Sequence, residues 1–228
     1  MQDVRACRTL EKVLADTSGG GGGGGTNISV PAAEALGAIG AESSVPALER
    51  FANDPAPEVS QQTCRLALDL MEWRRKQGIP SSSPDGKQQP RNDRNPYLSV
   101  DPAPGWGAGQ GAEEASDDVG TEEMRQRLCD QSRRLFHRYR AMFSLRNRGG
   151  EAAALALASA FENEDNALFK HEVAYVLGQM QHPATVPALG KVLSDLGEHQ
   201  MVRHEAAEAL GAIGGEEAER LLNSFRQD

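Results

Sequence analysis

Two histidine–glutamate pairs are the residues of this sequence whose types and spacing indicate chemistry. His171-Glu172 and His204-Glu205 lie 33 residues apart, and each pair offers one imidazole and one carboxylate. Imidazole and carboxylate are ligands of non-haem iron, and zinc and manganese compete for the same set. The pairs therefore predict a metal site formed by His171, Glu172, His204 and Glu205.

An alternative interpretation assigns both pairs to a solvated surface. Histidine and glutamate are usually exposed, and duplication of a helical repeat copies its surface residues without giving them a chemical role. A surface role is also predicted for His137, His182 and His199, which lie outside the spacing of the pairs. The sequence contains no His-Glu-x-x-His motif, no phosphate-binding glycine loop and no nucleophile elbow.

Internal repetition places the two pairs on successive copies of one helical unit. The string AAEALGAIG occupies both 32–40 and 206–214, and EVAYVLGQM at 172–180 aligns with EAAEALGAI at 205–213. Repeats of about 33 residues indicate a solenoid of stacked helical hairpins. The predicted fold class is therefore all-α, with HEAT-like helical-hairpin repeats.

The repeats fall into two arrays separated by a segment rich in proline, glycine and serine. That composition predicts a disordered linker, and the glycine run at 19–25 predicts a flexible loop. The predicted α-solenoid thus has four parts, which are a partial repeat helix with the glycine-rich loop at 1–25, an N-terminal array at 26–78, the linker at 79–120 and a C-terminal array at 121–228.

Apolar residues at helical spacing locate the individual helices. The predicted helices cover about 5–16, a helix that includes 32–40, and 58–76, 123–147, 151–162, 168–180, 184–195, 201–213 and 215–226. The buried stripe of helix 168–180 is predicted to contain Val173, Val176, Leu177 and Met180. His171 and Tyr175 lie nearly opposite this stripe, and Glu172 and Gln179 lie on its polar flank. Helices of neighbouring repeats pack about 8–10 Å apart, so side chains of both pairs can reach one shared site.

Composition restricts the partners and the cellular compartment. Twenty-four Lys and Arg against 33 Asp and Glu give a net charge of -9, which opposes nucleic-acid binding and suits a basic partner. Cys7, Cys64 and Cys129 show no paired spacing, which favours a reducing compartment. Neither a secretory signal nor an apolar run of about 18 residues is present, so we predict no membrane span and a cytoplasmic location.

Several strings of the sequence resemble the deoxyhypusine hydroxylase family. They are KHEVAYVLGQM at 170–180, MVRHEAAEALGAIG at 201–214, FHRYRAMFSLRN at 136–147 and PYLSVDPAP at 96–104, together with the repeat at 32–78. The resemblance implies an oxidoreductase of hypusine biosynthesis. Such a HEAT-repeat monooxygenase uses a di-iron centre and molecular oxygen to hydroxylate deoxyhypusine on a eukaryotic translation factor.

The resemblance also implies roles for the two pairs. His171, His204 and Glu205 would be iron ligands, and Glu172 would be either a ligand or the carboxylate that holds the cationic amine of the substrate. Glu172 is accordingly the predicted catalytic residue, and Glu172 and Glu205 are the predicted substrate-binding residues. An acidic groove would attract a long polyamine-like side chain.

The N-terminal array departs from the family pattern, in which two symmetric halves each supply two His-Glu pairs. The 174-residue offset between the copies of AAEALGAIG places Val30-Pro31 opposite His204-Glu205, and neither of these side chains binds metal. The other N-terminal pair would lie one repeat upstream, in a segment that this sequence does not contain. The sequence therefore predicts half of a di-iron site, for one iron or for a metal pair shared in a homodimer.

Three interpretations follow from this pattern. The first is a hydroxylase whose full site requires two copies of the chain. The second is a non-catalytic HEAT-repeat scaffold that binds a protein partner, since solenoids present extended binding surfaces. The third is a truncated product in which the glycine run and the missing repeat mark damage.

Overall fold

The computed structural model describes residues 4–16, 29–53, 57–79, 97, 99–106 and 119–225. Every regular element in this part of the chain is helical, which confirms the all-α prediction. The glycine run at 19–25, most of the predicted linker and residues 226–228 lie outside these ranges. Within the same ranges, no helix is both long enough and apolar enough to cross a membrane.

The described residues contain eleven α-helices in two compact units. The first unit contains α1 (Cys7–Asp16), α2 (Ser29–Ile39), α3 (Val45–Asn53) and α4 (Glu58–Lys76). The second unit contains α5 (Thr121–Cys129), α6 (Leu135–Arg148), α7 (Gly150–Ala158), α8 (Ala167–Met180), α9 (Val186–Ser194), α10 (Gln200–Ile213) and α11 (Gly215–Ser224). Short 3-10 turns connect α2 to α3 and α8 to α9.

The first unit is built around apolar side chains from all four of its helices. Its core includes Cys7, Leu14, Leu36, Leu48, Phe51 and Cys64. Complete burial of a leucine or phenylalanine side chain contributes about 1.5–3 kcal/mol to folding. Burial raises the pKa of the Cys64 thiol to about 11, so this cysteine behaves as the packing residue that the sequence predicts.

Arg74 of α4 donates hydrogen bonds to carbonyl groups at the C-terminus of α2. One guanidinium nitrogen, Nη1, donates to the carbonyl oxygen of Gly37 at 3.0 Å and to that of Ala38 at 2.9 Å. The last carbonyls of a helix have no partner within the helix. The arginine supplies that partner and thereby ties α4 to α2.

The second unit has an aromatic core that joins α6 to α8. The Tyr139 ring centroid lies 5.7 Å from that of Phe169 and 6.2 Å from that of Phe143. A buried ion pair between Arg138 and Glu164 lies next to this cluster. The region before α8 is therefore held to α6 by both apolar and ionic contacts.

The predicted helix 123–147 is wrong as a continuous element, because the structure divides it into α5 and α6. The backbone at Asp130 is extended (φ −77°, ψ 95°). Its carboxylate accepts hydrogen bonds from the Ser132 hydroxyl at 2.6 Å and from the Ser132 backbone N–H at 3.1 Å. Such local bonds compete with helical hydrogen bonds, and they lower the pKa of Asp130.

Residues 104–106, within the predicted linker, pack on α6. The backbone N–H of Trp106 donates to Ser144 Oγ at 2.7 Å, and Arg140 Nε donates to the carbonyl of Pro104 at 3.1 Å. The Arg140 guanidinium also lies 4.2 Å from the centroid of the Trp106 ring. This short segment is therefore part of the second unit.

Glycine allows the first helices of successive repeats to approach one another closely. A Cβ at Gly178 of α8 would lie 3.1 Å from Cα of Ala209 in α10. In the first unit, a Cβ at Gly37 of α2 would lie 2.7 Å from Cβ of Ala67 in α4. Gly211 holds the equivalent position in α10, and no described atom lies within 4 Å of a Cβ built there.

Gly37 and Gly211 occupy the same place in two identical strings, so they form a matched pair for mutation. We expect Gly37→Ala to destabilise the protein by about 1–3 kcal/mol, because the added methyl group displaces α4. We expect Gly211→Ala to stabilise it by about 0.5–1 kcal/mol, because alanine costs less backbone entropy in a helix. Urea unfolding followed by circular dichroism measures the stability of both variants. Equal effects would contradict the close contact between Gly37 and Ala67.

Candidate metal centre

The N-terminus of helix α8, which carries His171 and Glu172, is capped by a side chain. Its N-cap is Asn166, whose side-chain oxygen accepts a hydrogen bond from the Phe169 backbone N–H at 2.9 Å. Three residues of the predicted stripe, Val173, Val176 and Leu177, are fully buried. His171 is on the less covered side, where its side chain is 27% exposed.

Helix α10 presents the second pair in the same register. His199 caps this helix, since its Nδ1 accepts from the Met201 backbone N–H at 3.2 Å. His182 caps the 3-10 turn before α9 through a 3.3 Å contact of the same kind with Ala184. These two histidines, for which the sequence predicts a surface role, therefore cap the N-termini of helical elements.

The structure brings together the histidine of the first pair and the glutamate of the second. His171 Nε2 lies 3.1 Å from Glu205 Oε2, across the contact between α8 and α10. Glu205 is 8% exposed. An imidazole and a carboxylate from two helices thus meet in a largely covered position.

Glu172 is more deeply buried than its predicted place on a polar flank suggests, with 6% of its surface exposed. The prediction considered only one buried face for α8. In the structure α8 packs against α6, α7 and α10, so its flanks are covered as well. A carboxylate in such a position requires a cation or hydrogen-bond donors beside it.

His204 does not join the contact between His171 and Glu205. Its Nε2 lies 3.0 Å from Glu208 Oε1 on the same helix, and the two side chains are 73% and 62% exposed. In α8 the equivalent histidine is covered by α10, whereas no described helix packs on the open face around Gly211. The two histidines share a repeat position but differ in environment.

The donors fit part of a metal site. Among the described residues, no group of three or more His, Cys, Asp or Glu side chains is arranged to hold a metal ion. His171 Nε2 and Glu205 Oε2 nevertheless face each other, and a nitrogen and a carboxylate oxygen suit iron, zinc or manganese. These two residues would supply two ligands, and Glu172 and His204 lie next to them in the sequence.

Lys170 and Glu198 tie the start of α10 to α8. They form an ion pair in which each side chain is 11% exposed. Lys170 immediately precedes His171, and Glu198 precedes the His199 cap of α10. The pair therefore fixes the relative position of the helices that carry His171 and Glu205.

A chain of hydrogen bonds between α6 and the helix that carries His171 was not predicted from the sequence. Arg146 of α6 is fully buried, and its Nη1 donates to Gln179 Oε1 at 2.9 Å. Gln179 Nε2 in turn donates to the Tyr175 hydroxyl at 3.2 Å. The signal was present in the repeats, because α10 carries Glu208 and Ala212 at the positions of Tyr175 and Gln179.

Comparisons with known proteins agree with the repeat architecture. Residues 154–228 match the family described as HEAT repeats, and residues 32–54 match the PBS lyase HEAT-like repeat. These matches cover the helices that carry both His-Glu pairs and the N-terminal copy of AAEALGAIG.

Similar proteins share one name. A deoxyhypusine hydroxylase of Danio rerio is 44% identical over 228 residues, which are 100% of this chain and 67% of that protein. The Homo sapiens deoxyhypusine hydroxylase is 47% identical over 213 residues, which are 93% of this chain and 61% of that protein. A solved structure of human deoxyhypusine hydroxylase in complex with glycerol matches with a TM-score of 0.80 at 42% identity, and the match covers 100% of this chain and 69% of that chain. The chain therefore spans about two thirds of the length of these relatives.

Loss of the buried ion pair between Lys170 and Glu198 is expected to loosen the second unit. Lys170→Met leaves the Glu198 carboxylate without its lysine in a covered position, at a cost of about 3–5 kcal/mol. Lys191→Met, on the exposed side of α9, is the matched control and should change stability by less than about 0.5 kcal/mol. Urea unfolding measures the free energy of unfolding of both variants. Equal stabilities would show that the ion pair does not hold α10 to α8.

Proposed function

Because the chain belongs to the deoxyhypusine hydroxylase family, we propose that it hydroxylates the deoxyhypusine side chain of a translation factor to hypusine. We further propose that the reaction uses iron and molecular oxygen, and that the second unit holds the metal. The observation that supports this most directly is the contact between His171 Nε2 and Glu205 Oε2 at 3.1 Å.

His171 and Glu205 would hold the metal from two adjacent helices. Both side chains project from helix interiors, and donors on regular elements are held in place better than donors on loops. Bound iron would supply the activation of molecular oxygen that hydroxylation of a carbon–hydrogen bond requires. The burial of Glu205 keeps bulk water away from its carboxylate, which strengthens its attraction to a cation.

Glu172 would provide a second buried negative charge near this centre. A buried carboxylate favours either a metal ion or the ammonium group of the substrate, and the family resemblance implies one of these two roles. The net charge of -9 favours the approach of a cationic side chain in either case.

The family assignment favours the hydroxylase interpretation over the non-catalytic scaffold, because the relatives are named for an enzymatic reaction. We also propose that two copies of the chain associate as a homodimer. His204 and Glu208 are exposed on α10, and a second copy of the chain would bring further imidazole and carboxylate groups to them.

Iron binding should depend on the two paired histidines. After reconstitution with ferrous iron, we expect the wild-type protein to retain metal, and we expect the double variant His171→Ala, His204→Ala to lose at least about tenfold in metal affinity. The control is His182→Asn, His199→Asn, which removes two imidazoles but keeps a side-chain acceptor at each cap.

Equal metal content in the wild type and the His171, His204 variant would refute the site. Light scattering on the same samples tests the homodimer. Iron bound only to a strict monomer would exclude a centre shared by two copies.

Hydroxylation should require both iron and Glu172. With the deoxyhypusine-bearing translation factor under oxygen, we expect the wild type to form hypusine with iron and not without it. We expect Glu172→Gln to reduce kcat/KM by at least about 100-fold, because either proposed role needs the ionised carboxylate. Formation of hypusine at an unchanged rate would refute the role of Glu172.

The metal content of the same variant separates the two roles of Glu172. Reduced iron content would identify a ligand. Unchanged iron content with a raised KM would identify the carboxylate that binds the substrate amine.

A further inference from the structure

Tyr175 lies on α8 one turn beyond His171. It is 40% exposed, although both of its neighbours in sequence, Ala174 and Val176, are fully buried. Side chains four residues apart on an α-helix share a face, with Cβ atoms about 5–6 Å apart. Tyr175 therefore lies on the same face of α8 as His171, which contacts Glu205.

A buried guanidinium fixes the direction of the hydrogen bonds that reach Tyr175. Arg146 can only donate, so the oxygen of the Gln179 amide must face it at 2.9 Å. The amide nitrogen of Gln179 then points to the Tyr175 hydroxyl at 3.2 Å. The phenol oxygen is an acceptor in this bond, and its own hydrogen is directed away from Gln179.

The tyrosine and glutamine that form these hydrogen bonds are not a general feature of the repeat. The two helices that share AAEALGAIG carry glutamate at the position of Tyr175, as Glu34 and Glu208, and alanine at the position of Gln179. The glycine of the close helix contact is present in all three helices. Tyrosine and glutamine thus depart together from the repeat pattern in α8, the helix whose histidine meets a carboxylate of the next repeat.

Fixing an exposed aromatic side chain in one orientation costs conformational entropy. That cost is offset when the ordered side chain meets a ligand, because less freedom is then lost on binding. The connection through Gln179 to the fully buried Arg146 is suited to this purpose.

We propose that Tyr175 contacts the aminobutyl part of the deoxyhypusine side chain and so distinguishes it from unmodified lysine. This inference rests on the proposed function. The aminobutyl part is a chain of methylene groups with amines that are protonated at neutral pH. The tyrosine ring offers apolar surface to the methylene groups and a cation–π attraction to an ammonium group. Gln179 is a positioning residue, since it acts only through Tyr175.

The test measures hydroxylation and binding of the translation factor by the iron-loaded full chain. We expect Tyr175→Ala to raise KM for the deoxyhypusine form by about tenfold, with unchanged iron content. Tyr175→Phe and Gln179→Leu keep the ring but remove the hydrogen bond that orients it, so each should raise KM by about threefold, less than the loss of the ring. Leu155→Ala removes an equally exposed apolar side chain from α7 and should change neither parameter.

The affinities for the deoxyhypusine form and for the unmodified lysine form of the factor are then compared. A purely structural role of Tyr175 would not change the ratio of these two affinities. We expect Tyr175→Ala to weaken binding of the deoxyhypusine form about tenfold more than binding of the lysine form. Equal weakening of both forms, or a parallel loss of iron, would overturn the inference.

Two further outcomes separate this inference from the proposed function. If the wild type hydroxylates the factor and Tyr175→Ala has an unchanged KM, the inference fails and the proposed function stands. If the wild type neither binds nor hydroxylates the deoxyhypusine form, both fail.

Discussion

The candidate site depends on the distance between α8 and α10. This distance is short because Gly178 has no side chain where Ala209 approaches, and a Cβ there would lie 3.1 Å from a backbone atom of the neighbouring helix. Protein interiors are close-packed, so a larger residue at this point would separate the helices. The contact between His171 and Glu205 spans the same interface and would lengthen with it.

Several charged side chains of the second unit are buried between its helices. Arg146 is 0% exposed, Glu172 is 6% exposed and Lys170 is 9% exposed, and all three belong to helices covered on several sides. A buried charge is tolerated only when it is paired or hydrogen-bonded. These residues therefore restrict how neighbouring helices can be arranged.

The repeats allowed most of the helices to be predicted, because each copy gives an independent indication of where a helix lies. The predicted helices 58–76, 168–180 and 201–213 differ from α4, α8 and α10 by at most one residue at either end. The interruption at Asp130 was missed, although an aspartate two residues before a serine is a local signal for a turn.

The pairing of side chains between helices was harder to predict. A dipeptide and its spacing do not reveal that His171 meets Glu205 while His204 turns to Glu208, because this depends on what covers each helix. The burial of Glu172 has the same origin, since the predicted helix had one buried face and the actual helix packs against α6, α7 and α10. The caps formed by His182 and His199 depend on loop geometry that periodicity does not encode.

The contact between His171 and Glu205 joins one repeat to the next, and this has a numerical consequence. His171 is matched with the glutamate of the following repeat, so a stack of n helices that all repeated this arrangement would contain n − 1 such contacts. A single repeat, however well folded, contains none. The chemistry of this surface is thus a property of repeat junctions, and insertion or deletion of one repeat would change the number of junctions without altering any sequence motif.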